Sequence, residues 1–359
     1  MTKKIFILVP SDSATGPIKG AYALANALAG RREVTLVSLK KGTGAHADLD
    51  ERVKRVCLAD SEAGFGGRLR LYRRLLAAAG GRQGAASISM CLSADAFNLL
   101  CSRQAVICSS IRGNLVGAYR MSYGRIGVLV AAIHLAALRY FDCVGAMTEA
   151  MAKQIASFSG KQPAVIGNFV DEALLAPFVT DRQKEGAWRF AFVGSLTVLK
   201  QPGLIVAALA ELKALGHEVR GDFLGDGPLR ETLHDEIVRH GLSDLISLHG
   251  FLRSPYEPLA QADVMVLPSL SEGVPRAALE ALYLGVPCVL RDADGNAEFI
   301  AENVNGALFS RDEDLAAAML RAARISRQSA GARPANLLPE KFRQDKAAGM
   351  YLDLVEAVN

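Results

Sequence analysis

At 359 residues, half of them hydrophobic, 22% charged and 33 glycine, the chain is too long for one ordinary core and suits two α/β domains of about 150 to 200 residues each. This mixture excludes a disordered or fibrous protein. The net charge of +4 conceals a division, because residues 1–170 carry 22 Lys/Arg against 10 Asp/Glu and residues 171–359 carry 19 against 27; a basic first half suits phosphates, nucleic acid or an anionic membrane surface, and chance variation in surface charge is the plain alternative.

In chain order, Met1 to Lys4 lead straight into the strand-like 5-IFILV-9 with no small-residue cleavage site behind it, so a cytosolic chain is expected. A helix is predicted over about Ile18 to Ala29, then strands over 33-EVTLVSL-39, 87-SISMC-91, 105-AVICSS-110 and 142-DCVGAM-147. Strand, helix, strand implies a parallel sheet, and apolar runs with little alternation imply helices on both faces. The cysteines (Cys57, Cys91, Cys101, Cys108, Cys143 and Cys288) show no CxxC or CxxH spacing and read as buried free thiols of a reducing compartment.

The segment 163-PAVIGNFVDEALLAPF-178 runs from a strand into a Pro- and Asn-punctuated connection in which Asp171 can cap a short helix. This places a boundary between a domain over 1–170 and a second over 171–340. The second half repeats the strand–helix pattern with 189-RFAFVG-194, 219-VRGDFLG-225, 246-ISLHG-250, 263-DVMVLP-268, 286-VPCVL-290 and 306-GALF-309, a second Rossmann-like unit. Residues 341–359 have helical apolar spacing and are candidates to return onto the first domain.

Ligands of open α/β sheets bind beyond the carboxyl ends of the strands. After 263-DVMVLP-268 comes 269-SLSEGVPRAALEALYLGVP-287, where Gly273 and Pro275 turn the chain into a helix from Arg276 to Leu284. Glu272 precedes the helix and Glu280 lies on it, where a carboxylate can accept hydrogen bonds from a vicinal diol and free backbone N–H groups can meet a phosphate or hydroxyl.

The stretch 271-SEGVPRAALEALYLGVPCVLRDADGNAEFI-300 resembles the donor-site signature of glycosyltransferase family 4, and 166-IGNFVD-171, 193-VGSLTVLKQP-202, 223-FLGDGPLRETL-233 and 249-HGFL-252 are similar to other family segments in family order. The resemblance is strong over 189–306 and weaker over 1–170. It implies a GT-B fold, two Rossmann-like doubly wound domains facing across a cleft, and a retaining transferase with no metal or other cofactor. It makes Glu272 the carboxylate that meets donor-sugar hydroxyls, Glu280 the one that holds the ribose, and Lys200 the cation on the diphosphate. Backbone of Gly273, Val274 and Arg276 would face the donor; Pro275 has no N–H to offer. Gly250, Phe251 and Leu252 would line the base opposite Gly225 and Asp226, with Gly194 and Ser195 beside them. Many members carry arginine where Ser195 stands, and Arg276 is either its replacement or a solvated surface residue. In the first domain, Gly16, Lys19 and Gly20 occupy the loop that the family brings over the diphosphate; the loop lacks GxGxxG and the GxxxxGKS/T pattern, so no NAD or ATP site is supported. Where the family often has a histidine, 109-SSIRGNL-115 offers Arg112 and Asn114. His134 and His249 read as a helix-face and a strand-end residue, and the pairs Asp48/Asp50 and Asp292/Asp294 do not make a metal site.

The expected partners are a nucleotide-sugar donor, UDP-linked hexose or N-acetylhexosamine before GDP-mannose, and a glycan or polyprenyl-diphosphate-linked acceptor, with no nucleic acid. A GT-B sugar-nucleotide epimerase and a non-catalytic binding protein are the alternatives, and donor turnover separates the three. Two segments suggest docking on an anionic membrane at the inner face of the cytoplasmic membrane, with an ordinary core helix flanked by solvated arginines as the plain alternative for each: 65-FGGRLRLYRRLLAAA-79, where arginines interleave with leucines, and 119-YRMSYGRIGVLVAAIHLAALRYF-141. The uncharged run of the latter is too short to span a bilayer, which takes about 20 residues.

Overall fold

The computed structural model describes residues 2–13, 16–42, 49–61, 64–179, 186–293, 295–328 and 336–358. The chain divides into two units, one of Met1–Asp171 with Glu340–Asn359, the other of Glu172–Pro339.

The first unit is built on a seven-stranded parallel sheet: β1 (Lys4–Ser11), β2 (Val34–Lys40), β3 (Lys54–Cys57), β4 (Ala85–Ser89), β5 (Val106–Ile111), β6 (Cys143–Ala146) and β7 (Ala164–Val165), in the order β3-β2-β1-β4-β5-β6-β7. Ile5 of β1 registers with Val34 on one side and Ala86 on the other, which makes β1 and β4 the pair where the strand order reverses. Ile5 to Val9 are all buried, the expected result for a run of β-branched and large apolar residues covered on both faces.

Four helices matter for the argument: α1 (Gly16–Ala29), α2 (Gly64–Ala78), α3 (Leu92–Leu99) and α4 (Leu115–Ala137), the last broken at Gly124. The C-terminal helix Gln344–Glu356 packs on α1, β5 and β6. Its Tyr351 is fully buried, with its hydroxyl 2.6 Å from Ser110 Oγ on β5, so a phenol that would be costly to bury alone is satisfied in the core. Arg32 reaches Glu356 at 2.6 Å outside, an exposed pair of small energetic weight.

The second unit has a six-stranded parallel sheet: β8 (Trp188–Val193), β9 (Val219–Leu224), β10 (Ile246–Gly250), β11 (Val264–Leu267), β12 (Cys288–Arg291) and β13 (Gly306–Phe309), in the order β10-β9-β8-β11-β12-β13. Phe190 registers with Gly221 and with Val264, so the order reverses between β8 and β11. Helix α5 (Arg276–Tyr283) follows β11. The predicted strands of this half coincide with the observed ones to within two residues at either end.

The six cysteines carry free thiols, four of them buried. The helix over 65–79 exists as α2, but its Tyr72 and Leu76 are buried and Leu69, Leu71 and Leu75 pack against the same core. Arg68 and Arg73 donate to the carbonyls of Leu39 and Leu100. The apolar side of α2 is therefore committed to the fold of its own unit. No helix among the described residues is long and apolar enough to cross a membrane.

Candidate functional site

The sequence-derived candidates of the second unit gather at the carboxyl ends of β8, β9, β10 and β11, on the edge where the strand order reverses. Glu272 lies in the loop after β11 and Lys200 in the turn after β8. Their side chains form an ion pair with Lys200 23% and Glu272 12% exposed. The two loops are also joined through backbone, the Leu270 N–H donating to the Leu199 carbonyl at 2.9 Å.

Glu280 is 6% exposed on α5, and its Oε1 accepts from Arg276 Nε at 2.8 Å, one turn earlier. Arg276 is thus no solvated surface residue: its side chain is 15% exposed, and its Nη1 is buried with no hydrogen-bond partner in the protein. Ser269 Oγ, in the loop after β11, is also buried and unpaired. Orphan polar atoms of this kind are rare in a folded interior, and at a strand-end edge they mark a place where a ligand can supply the missing partners. Val274 and Pro275 are buried behind the helix start, which leaves the first amide groups of α5 as donors for an anion or hydroxyl.

Beside the switch point, between the loops after β8, β9 and β10, the backbone approaches itself closely. A Cβ on Gly225 would lie 1.8 Å from the Gly194 carbonyl oxygen, so only glycine lets the loops after β8 and β9 meet there. Gly225 bridges Gly250, which has φ 72° where the register against β9 shifts. Leu196 N–H donates to the Asp226 carbonyl at 3.0 Å. Ser195 is exposed, as is Phe251, while Leu252 is half-buried. Gly194, Gly225, Asp226, Gly250, Phe251 and Leu252 therefore lie together at one glycine-rich strand-end edge.

In the first unit α1 begins at Gly16, so Lys19 and Gly20, expected in the loop before the helix, lie on its first turns instead, with Lys19 half-buried. A Cβ on Gly20 would meet the Arg112 guanidinium at 2.4 Å, so the absence of a side chain at Gly20 makes room for Arg112. Arg112 Nη2 donates to Asn168 Oδ1 at 2.5 Å. Asn114 caps α4 by accepting from the Gly117 N–H at 3.1 Å. A hollow of roughly 370 Å³ opens beyond β1, β2 and β3, lined by Asp12, Tyr22, Ser38, Lys41, Arg55 and Asp60.

His249 pairs with Asp222 at 2.7 Å near the end of β10. His134, read from sequence as a helix-face residue, is instead 3% exposed and bonded to Asp95 at 2.8 Å. The sequence marks only Ser89 and Ser109, polar residues inside strands expected to be buried on both faces; Asp95 and Tyr119, on helices, carry no such signal. Asp48 and Asp294 lie outside the described residues. Among the described residues, no group of three or more His, Cys, Asp or Glu is placed to hold a metal ion.

With this geometry in place, similarity to known proteins can be assessed. Residues 179–331 match the sequence model of the family described as "Glycosyl transferases group 1". The 2-deoxystreptamine glucosyltransferase of Streptomyces kanamyceticus is 29% identical over 188 residues, covering 48% of this chain and 49% of that protein. The amylovoran biosynthesis glycosyltransferase AmsK of Erwinia amylovora is 34% identical over 145 residues, covering 37% and 35%. The matches thus span half or less of the length of these relatives. Among solved structures, Anabaena HepE in complex with UDP and glucose superimposes with a TM-score of 0.75 at 18% identity, covering 99% of this chain and 100% of that one. The fold is GT-B, two doubly wound parallel-sheet units.

Proposed function

We propose that this chain is a retaining, metal-independent glycosyltransferase of family 4. It moves a hexose or N-acetylhexosamine from a nucleotide sugar, a UDP-sugar before GDP-mannose, to a glycan or lipid-linked acceptor in bacterial surface polysaccharide or lipopolysaccharide synthesis. The observation that carries the reading is the pair of ion pairs at the switch point of the second unit, Lys200 with Glu272 and Arg276 with Glu280, beside unpaired Arg276 Nη1 and Ser269 Oγ. Two carboxylates and two cations at one strand-end edge are the functional groups a sugar diphosphate needs. Glu272 accepts from sugar hydroxyls, Glu280 accepts from the ribose, and Lys200 neutralises the leaving diphosphate, with Arg276 as a second cation where Ser195 stands.

The resting ion pairs keep each charge compensated, and donor binding exchanges those partners for hydroxyls and phosphate. No side chain is asked to attack the sugar. Positioning and charge stabilisation at the leaving group carry the barrier reduction while the acceptor hydroxyl attacks from the same face. HepE's complex with UDP and glucose and AmsK's part in amylovoran biosynthesis agree with the donor class and the product class.

Incubation with UDP-glucose, UDP-N-acetylglucosamine and GDP-mannose, each with a panel of glycan and lipid-linked acceptors and in excess EDTA, tests the reading. One donor is expected to be consumed at full rate, with its anomeric configuration kept in the product. Loss of activity on chelation, restored by magnesium or manganese, contradicts it. Interconversion of donor alone would support the epimerase, and binding without turnover the non-catalytic protein.

One feature of the first unit favours peripheral attachment to the inner face of the cytoplasmic membrane. Helix α4 leaves Met121, Tyr123, Ile126, Leu129 and Ile133 exposed, Ile126 at 72%, beside exposed Arg120, Arg125 and Arg139. An apolar stripe rimmed by arginine suits the boundary of an anionic bilayer, where each basic residue contributes about 1 kcal/mol. The chain is expected to sediment with phosphatidylglycerol vesicles at low salt and to stay in solution with phosphatidylcholine; Ile126→Asp with Leu129→Asp should abolish sedimentation. Wild type remaining in solution with anionic vesicles would remove the membrane from the account.

A further inference from the structure

Beneath the carboxyl ends of β4 and β5 lies a buried polar cluster that the donor chemistry does not use. Asp95, on α3 and 1% exposed, receives three hydrogen bonds. Ser89 Oγ donates to its Oδ1 at 2.6 Å, and Ser109 Oγ and His134 Nε2 reach its Oδ2 at 2.9 and 2.8 Å. The Asn98 amide donates to Ser89 Oγ at 3.0 Å. On the other side of the imidazole, Nδ1 lies 3.0 Å from the Tyr119 hydroxyl, and the two rings are stacked with an interplanar angle of 10°. Tyr119 is half-buried, so the chain of contacts runs from a sealed carboxylate to the surface.

The chemistry of these groups orders the protons along the chain. With the Ser89 and Ser109 hydroxyls donating to it, Asp95 acts as an acceptor, so Nε2 of His134 carries hydrogen toward it, and in that tautomer Nδ1 is a bare acceptor. The Tyr119 O–H must point inward to satisfy it. Burial, aided by the Asp95 charge, pushes the Tyr119 phenol up to about 12, so it keeps that proton. What Tyr119 offers outward is oxygen lone pairs alone.

Such an arrangement is expensive as mere packing. Burial pushes the Asp95 carboxyl above its usual range despite its three donors, and buried polar networks of this kind are often no more stable than apolar replacements. The neighbouring backbone is also strained: Cys91, which precedes α3, has φ 77° and ψ 155° without being glycine. Residues in sparsely populated conformations are costly and cluster at functional sites. Cys91 lies within electrostatic reach of both Asp95 and Arg112, at the strand-end edge where ligands of such sheets bind.

We propose that Tyr119 contacts the acceptor substrate, a sugar or polyol, by accepting a hydrogen bond from one of its hydroxyl groups. His134 and Asp95 are positioning residues that fix Tyr119 in that polarity. The ligand class rests on the glycosyltransferase reading above; the residue does not.

The test uses the full chain with UDP-glucose, UDP-N-acetylglucosamine and GDP-mannose, measuring nucleotide release in buffer alone and with methyl glycosides of glucose, galactose and N-acetylglucosamine. Tyr119→Phe keeps the ring stack and removes only the hydroxyl. It is expected to lower the glycoside-dependent kcat/KM about tenfold relative to nucleotide release in buffer alone, the cost of one hydrogen bond. His134→Gln should do the same, and the double variant should be no worse than either single one, because both remove the same contact. Nitrogen-15 spectra of the wild-type ring should show hydrogen on Nε2 and a bare Nδ1. Unchanged glycoside-dependent transfer in Tyr119→Phe, additive losses in the double variant, or hydrogen on Nδ1 in place of Nε2 overturns the proposal. If wild type consumes no sugar nucleotide, the transferase reading fails by itself. Tyr119 is then judged by tyrosine-labelled spectra, where a saturable shift of its signal with a methyl glycoside supports the site and no shift with any of the three overturns it.

Discussion

Glu280→Gln is expected to weaken nucleotide-sugar binding about 10- to 100-fold and to lower stability by about 1–3 kcal/mol. Both effects come from one contact. The carboxylate accepts from Arg276 Nε at 2.8 Å inside the protein, and the neutral amide leaves that guanidinium poorly compensated while offering hydroxyls a weaker, one-oxygen acceptor. Stability should fall in the ligand-free chain as well, because the ion pair is present there. Calorimetric titration with UDP and thermal unfolding of the same preparations separate the two losses. Wild-type affinity together with wild-type turnover would remove Glu280 from the donor site and leave it a structural partner of Arg276.

Lys200→Met should act chiefly on the chemical step, lowering kcat about 100- to 1,000-fold, the range found when one preorganised charge-stabilising donor is lost. The reason lies in its partner. Without Lys200, Glu272 loses its ammonium partner, so the substitution removes a cation from the diphosphate and leaves an anion near it less compensated. Lys200→Arg should recover part of the rate, since charge is restored but the compact ammonium is not. Steady-state kinetics with a saturating donor read the effect directly. An unchanged kcat in Lys200→Met would assign the lysine to its ion pair alone.

The second unit was far more legible in the sequence than the first. Its strands are short apolar runs bounded by Gly, Pro and Asp, and such runs announce buried parallel strands without tertiary information. The one visible shift, β12 beginning at Cys288 where the apolar run starts at Val286, follows from Pro287, which has no N–H for the ladder. In the first unit, β3 escaped because Lys54 and Arg55 leave its start exposed at the sheet edge, so no apolar run marks it. The docking segment over 65–79 was misplaced for a related reason. Arginine interleaved with leucine gives the same pattern whether the leucines meet lipid or a core, and here Tyr72 and Leu76 are buried in the core.

The site follows the same logic. Glu272 and Glu280 were visible because they are close in sequence and share one turn and helix. Their pairing with cations was only partly so: Arg276 lies one helical turn from Glu280, whereas Lys200 reaches Glu272 across 72 positions and only the strand order brings them together. The Asp95–His134 pair is 39 positions apart and joins two helices. Single polar residues diluted among apolar neighbours carry no periodicity, so the cluster could be found only once the sheet was assembled.

The central claim is that the switch-point edge of the second unit binds a sugar nucleotide through Lys200, Glu272, Arg276 and Glu280. Thermal unfolding of the purified chain titrated with UDP, GDP, UDP-glucose and UDP-N-acetylglucosamine tests it most directly, because a ligand bound only by the folded state raises its stability by about 2.7 kcal/mol at 100 times Kd. A saturable rise in Tm with a nucleoside diphosphate or its sugar, present in wild type and lost in both Lys200→Met and Glu280→Gln, is the predicted result. No rise with any of the four, or a rise of wild-type size in both variants, would contradict it.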